Sequence, residues 1–152
     1  MPITEILTKN ATYYKNDVAL VEINPRENFD TKVTWKEYSL IESDANGPFR
    51  NEMTWYEFDV MSNKIANLLL TRGVKKGDKV AILLMNCIEW LPIYFGILKT
   101  GALAVPLNFR YASDEIKYCV ELADVSVLIF GREFIGRIEA IADNLQNIKN
   151  MF

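Results

Sequence analysis

The 152-residue chain contains no histidine, and that absence removes the Ser-His-Asp and Cys-His nucleophile systems together with every histidine metal site. Cysteine is nearly as scarce: Cys87 and Cys119 stand far apart, with no second thiol near either. That spacing fits buried free thiols in a reducing compartment better than a disulfide framework or a zinc site. Long apolar runs are missing as well. The most apolar region, residues 80–109, is broken by Glu89 and Lys99 into runs well short of the roughly 18 residues that cross a bilayer, so no membrane span is expected. Glu5 and Lys9 fall where a secretory signal needs an unbroken apolar stretch, and no small-residue cleavage site follows. A cytoplasmic location is the expectation, and the Asn10-Ala11-Thr12 sequon then carries no meaning. Nor does one sign of charge dominate. Seventeen basic against 20 acidic residues give a net charge of −3, and no Lys/Arg block is long enough to neutralise a run of phosphates, so nucleic acid is not an expected partner.

What is present describes a globular chain. With 50% hydrophobic and 24% charged residues it lies away from the composition that keeps chains disordered. A chain of this length buries about 70% of the surface its unfolded form exposes, enough for one core and one domain over 1–152.

Apolar positions Ile3, Ile6, Leu7, Ala11 and Tyr14 recur at helical spacing and predict a short opening helix, followed by a strand over 18–23. Residues 24–53 read as an outward hairpin, from Pro25, the Asn46-Gly47-Pro48 turn signal and the alternation through Val33, Trp35, Glu37, Ser39 and Ile41. At Thr54 a capping box with Glu57 opens a helix over 54–72, whose apolar face is Phe58, Met61, Ile65, Leu68 and Leu69 and whose stop is Gly73. From there to residue 143 strands at 79–85, 103–107 and 125–130 alternate with helices at 88–99, 113–122 and 132–143. That alternation predicts an α/β fold with a mostly parallel sheet and flanking helices.

Two phosphate-binding signatures fail. No Gly-x-Gly-x-x-Gly follows any strand, and Gly96 and Gly101, spaced as in a P-loop, are followed by Ala102 and Leu103 where Lys and Ser/Thr hold phosphate and magnesium. The glycines instead read as packing: Gly96 for close approach of its helix to the sheet, Gly101 as a helix end. The acidic neighbours Asp114 with Glu115 and Glu121 with Asp124 suit acid-base chemistry in principle. However, the first pair sits in the opening turn of a helix capped by Ser113, where amide dipoles favour negative charge by up to about 1 kcal/mol. Trp90, Tyr94 and Phe95 share one helix and suit either an acyl pocket or a core stripe. Asn86 and Asn108 each close a strand at its carboxyl end, where open α/β sheets bind ligands. They are the candidate substrate-binding residues, against the ordinary role of Asn as a turn or cap residue. No residue is a candidate for catalysis, cofactor binding or metal ligation.

Residues 68–86 (Leu-Leu-Leu-Thr-Arg-Gly-Val-Lys-Lys-Gly-Asp-Lys-Val-Ala-Ile-Leu-Leu-Met-Asn) and 96–110 (Gly-Ile-Leu-Lys-Thr-Gly-Ala-Leu-Ala-Val-Pro-Leu-Asn-Phe-Arg) resemble the amino-terminal region of AMP-forming acyl-CoA synthetases, within the adenylate-forming ligase superfamily. Thr54-Trp55-Tyr56-Glu57 is similar to the start of that family's first long helix, and Asp114-Glu115-Ile116 through Ala123-Asp124 to the next helix and its exit. The resemblance covers about 50–142. Asn108-Phe109-Arg110 leans toward the fatty-acid and carnitine-type CoA ligases. The resemblance implies a partial large domain of the ligase fold. In the full-length enzyme, a carboxylate, MgATP and CoA would give acyl-CoA, AMP and pyrophosphate. It also implies that the phosphate loop, the magnesium ligand, the ribose aspartate and the catalytic lysine lie downstream. This chain is then expected to be inactive alone, with no cofactor of its own, and to have the missing remainder of the ligase as partner. An open sheet edge or apolar face would invite a homodimer. The alternatives are a standalone interaction module on the same half-fold and a small nucleotide-binding protein, the latter disfavoured by the two failed motifs.

Overall fold

Five consecutive residues with only one polar member, Lys79-Val80-Ala81-Ile82-Leu83, suit a strand covered on both faces. In the computed structural model, which describes residues 1–23 and 50–152, the last four of them are fully buried. They form β3 (Lys79–Leu83), the centre of a parallel sheet with β4 (Leu103–Pro106), β5 (Val127–Phe130) and β6 (Asn150–Met151), in the order β4-β3-β5-β6. Before the sheet come α1 (Ile3–Tyr13), β1 (Val18–Ile23), β2 (Arg50–Thr54) and α2 (Trp55–Thr71). Within it lie the crossovers α3 (Trp90–Lys99) and α4 (Ser113–Leu122), and then α5 (Ile135–Glu139). The period-2 alternation of the strands divides the core in two. Val80, Ile82 and Val127 face α2 and α3 through Leu69 and Ile97, whereas Ala81, Leu83 and Leu128 face α4 and α5 through Ile116, Val120 and Ile138. Among the described residues no helix is long and apolar enough to cross a membrane.

The antiparallel pair β1·β2 runs in register from Val18↔Thr54 to Ile23↔Arg50, with an irregularity between Val18 and Leu20. It closes the expected hairpin excursion at its base. The turn signals at Pro25 and 46–48 and the alternation at 33–41 lie outside the described residues.

Helix α2 begins as its sequence requires. Thr54 Oγ1 accepts from Glu57 N at 3.2 Å and Glu57 Oε2 accepts from Thr54 N at 2.8 Å, both halves of the capping box. It ends at Gly73, φ 85°, with Val74 N donating back to Leu69 O.

Two helix expectations need correction. Ser113 does not cap α4. Ala112 is the N-cap and has no side-chain acceptor, so only the return half of a box exists, with Ala112 N donating to Glu115 Oε2 at 2.8 Å. The helix expected over 132–143 is broken into a 3-10 turn at Arg132–Phe134, the single α-helical turn α5, and a second 3-10 turn at Ala142–Asn144. Phe134, Ile138, Ile141 and Leu145 all reach the core at helical spacing, so the apolar face is kept. Gly136, unfavourable in a helix interior, falls within the short α-helical turn, which runs on for only three residues beyond it.

Candidate functional site

The parallel strands end together, and the loops leaving them form the edge at which such sheets bind ligands. Because β4 pairs on one side of β3 and β5 on the other, the chain reverses direction across the sheet between β3 and β5. The crevice at that reversal is the favoured position, and it belongs to the segments after Leu83 and after Phe130. Gly131 N donates to Leu83 O at 3.0 Å and ties the two together.

Asn86 lies on this side of the edge. It is exposed, in the bend between β3 and α3, and lines an open concavity of about 300 Å³ with Leu20, Val21, Glu22, Cys87, Ile88 and Leu91. Its walls are mostly apolar, contributed by β1 on one side and the entry to α3 on the other. Asn108 leaves the neighbouring strand and is spent on local structure. Its Oδ1 accepts from Arg110 N at 2.9 Å, and its carbonyl accepts from Tyr111 N at 3.0 Å, forming an Asx-type turn. The structure thus places both asparagines on one edge, and no hydrogen bond links them among the described residues.

Cys87 and Cys119 are half-buried rather than buried: Cys119 packs at the margin of the core on the α4/α5 side, and Cys87 lines the open concavity. Burial, reinforced by the neighbouring Glu89 carboxylate, pushes the Cys87 thiol up to about 11. Close to neutral pH it is a protonated thiol and a poor nucleophile.

The remaining candidates are taken up by packing and pairing. Trp90 stacks on Tyr94 at 5.4 Å against the α2/α3 side of the sheet, and Phe95 meets Phe58 of α2 edge-on at 5.2 Å. Glu115 holds the Ala112 amide, Glu121 pairs with Lys117 at 2.9 Å, and Asp124 pairs with Lys79 at 3.1 Å. Gly96 does allow a close approach, but to α2 rather than to the sheet: a Cβ there would lie 2.6 Å from Ile65 Cγ2 and 3.0 Å from Ser62 O.

Neither a clustered ligand set nor the starts of α2 and α4 offer magnesium or a nucleoside triphosphate a place among the described residues. Among them no cluster of three acidic or thiol side chains can hold a metal ion. The opening amides of α2 are taken by Asp17 O, Lys15 O and Thr54 Oγ1, and α4 opens on two carboxylates, so neither helix start is free to receive phosphate.

One residue of this edge had no signal in the sequence. Arg137, from α5, donates through Nη1 to Phe109 O at 2.8 Å and Tyr111 O at 3.0 Å. Its partners are backbone carbonyls more than two dozen positions earlier, which residue type and spacing do not reveal.

Comparison with known proteins bears directly on this arrangement. The family model described as AMP-binding enzyme matches residues 8–151. The chain is 33% identical over 95 residues to a medium/long-chain-fatty-acid–CoA/3-oxocholest-4-en-26-oate–CoA ligase of Mycobacterium marinum, covering 62% of this chain and 17% of that protein. It is 34% identical over 98 residues to a crotonobetaine/carnitine–CoA ligase of Escherichia fergusonii, covering 64% and 19%. The crystal structure of the N-terminal domain of FACL13 from Mycobacterium tuberculosis superposes with a TM-score of 0.78 at 25% identity, over 100% of this chain and 33% of that one. The chain therefore spans less than a fifth of the length of the curated relatives it matches.

Proposed function

The chain belongs to the family of AMP-binding enzymes, and from that premise we propose that it builds the amino-terminal part of the adenylate-forming domain of an acyl-CoA synthetase and has no ligase activity by itself. The complete reaction joins a carboxylate to AMP at the expense of ATP, releases pyrophosphate, and passes the acyl group to the thiol of CoA. Such chemistry needs preorganised donors around the phosphates, a cation to offset their charge, and a positioned group at the reacting carboxylate. The observation that carries the proposal is the family match over residues 8–151, set beside the opening amides of α2, which are already engaged by Asp17 O, Lys15 O and Thr54 Oγ1. On this reading the chain contributes framework: one sheet, its covering helices, and an edge on which Asn86 meets the concavity between β1 and α3. A fatty acid or a carnitine-type carboxylate is the substrate class, in keeping with the relatives on both sides and with Asn108-Phe109-Arg110.

Titration of the purified chain with MgATP by calorimetry, with and without such carboxylates, tests this alongside a pyrophosphate-release assay. No saturable heat and no pyrophosphate are expected. Saturable ATP binding or turnover would overturn the assignment of a framework role.

A further inference from the structure

The turn after β4 is held from three directions. Asn108 closes it from within, through Oδ1 to Arg110 N and its carbonyl to Tyr111 N. Glu115 holds its far end through Ala112 N. Arg137 reaches over from α5 and takes the carbonyls of Phe109 and Tyr111 with one nitrogen. Its guanidinium lies 5.4 Å from the ring centroid of Phe134, which is 2% exposed. That ring anchors the arginine on the core, so it approaches the turn from a fixed direction.

From this geometry we infer that Arg137 is a positioning residue: it fixes the Asn108–Tyr111 turn at the carboxyl edge of the sheet in one conformation, acting on the backbone rather than facing a ligand. Two carbonyls on opposite sides of Arg110 are drawn to one point, which sets the curvature of the turn and the direction in which Asn108 and Arg110 leave it. A substrate or a further segment of protein that meets this edge then meets a turn already ordered, and association does not bear the cost of ordering it. The inference concerns this chain alone and does not depend on the ligase assignment.

Two amides report on it, because each is hydrogen-bonded to Asn108 only when the turn is formed: Arg110 and Tyr111. Native-state hydrogen exchange on the wild-type chain and on Arg137→Gln and Arg137→Lys, with the β3 amides as internal reference, separates a local role from a general one. Loss of both carbonyl contacts in Arg137→Gln should speed exchange of the two turn amides by about tenfold beyond any change in β3. Arg137→Lys, with a point charge in place of a planar fork, should recover part of that protection. Turn and β3 amides accelerating in equal proportion would overturn the inference, since Arg137 would then only add to global stability. Unchanged turn amides in Arg137→Gln would overturn it too.

Discussion

Gly96 shows how much a single missing atom decides. With hydrogen for a side chain it lets α3 settle on α2, and any Cβ would sit 2.6 Å from Ile65 Cγ2 and 2.8 Å from Ile65 Cβ. Ile65 is stiff at χ1 and cannot swing aside cheaply. Gly96→Ala should therefore destabilise the chain by about 1–3 kcal/mol, read as a lower urea midpoint at unchanged slope. Gly136→Ala, where nothing lies within 4 Å of the added carbon, is the control and should be neutral or slightly stabilising. Cys87 makes a second residue-scale prediction. At pH 8 a thiol titrating near 11 carries about a hundredfold less thiolate than a free cysteine, so iodoacetamide should label it slowly in the native chain and at an ordinary rate in urea. The sign of the linkage follows. The folded state holds the proton more tightly than the unfolded state, so this contribution to stability is intact below the ordinary value of 9.0 and is lost as pH rises toward 11. Equal labelling rates in the folded and unfolded chain would show that the thiol is not shielded.

At the scale of elements, the start of α2 carries the clearest consequence. Trp55 N and Tyr56 N donate to Asp17 O and Lys15 O, so the turn between α1 and β1 docks on the helix start while Thr54 and Glu57 close the box. Thr54→Ala should cost about 1 kcal/mol. The hydrogen bonds from the Thr54 backbone and then its hydroxyl hold the Glu57 carboxyl below its ordinary value of 4.5. A lowered acid stabilises the fold above that value and stops doing so as pH falls through the folded titration, so acid should remove part of the benefit. Chemical denaturation at pH 7 and at pH 3 checks both statements: the Thr54→Ala penalty should shrink in acid, and a penalty independent of pH would mean that the bond from the Thr54 hydroxyl to the Glu57 carboxylate contributes nothing. The second link between elements is an ion pair with little solvent contact. Lys99 Nζ of α3 lies 2.6 Å from Asp59 Oδ1 and 2.7 Å from Asn63 Oδ1 on α2, and Thr8 of α1 donates to the same Asp59 oxygen at 3.2 Å. These contacts fix how the three helices meet more than they add net stability.

For the molecule as a whole, the edges of the sheet are where association is expected. Among the described residues β4 pairs only with β3, and β6 only with β5. The two edges are not equivalent. Leu103 N and Leu107 N donate inward, to Asp78 O and Ile82 O, which turns Ala104 and Pro106 toward the outer side, and Pro106 has no N–H to offer. That leaves β4 blunted against further pairing. The β6 side has no such block, and it carries Met151, 37% exposed. We expect the isolated chain to self-associate through β6. Light scattering should find a dimer or larger species that Met151→Lys disperses and Leu103→Lys does not. A clean monomer that binds no apolar dye would exclude this association.

Much of this was legible in the residues themselves. The capping box at Thr54, the stop at Gly73, the unbroken apolar run of β3 and the strand–helix alternation are properties of adjacent side chains, and they dictate an α/β fold without reference to anything distant. The missed cap at Ala112 and the break of the last helix near Gly136 are places where neighbouring signals competed. Strand order, by contrast, depends on which strands find each other in space. Only the tertiary structure put β5 beside β3, gave Asn86 rather than Asn108 the reversal point of the sheet, turned Gly96 toward α2, and set Arg137 on carbonyls of a turn far away in sequence. Local pattern fixes what each segment is, because its causes lie within a few residues. Which segments meet is decided by burial and pairing summed over the whole chain.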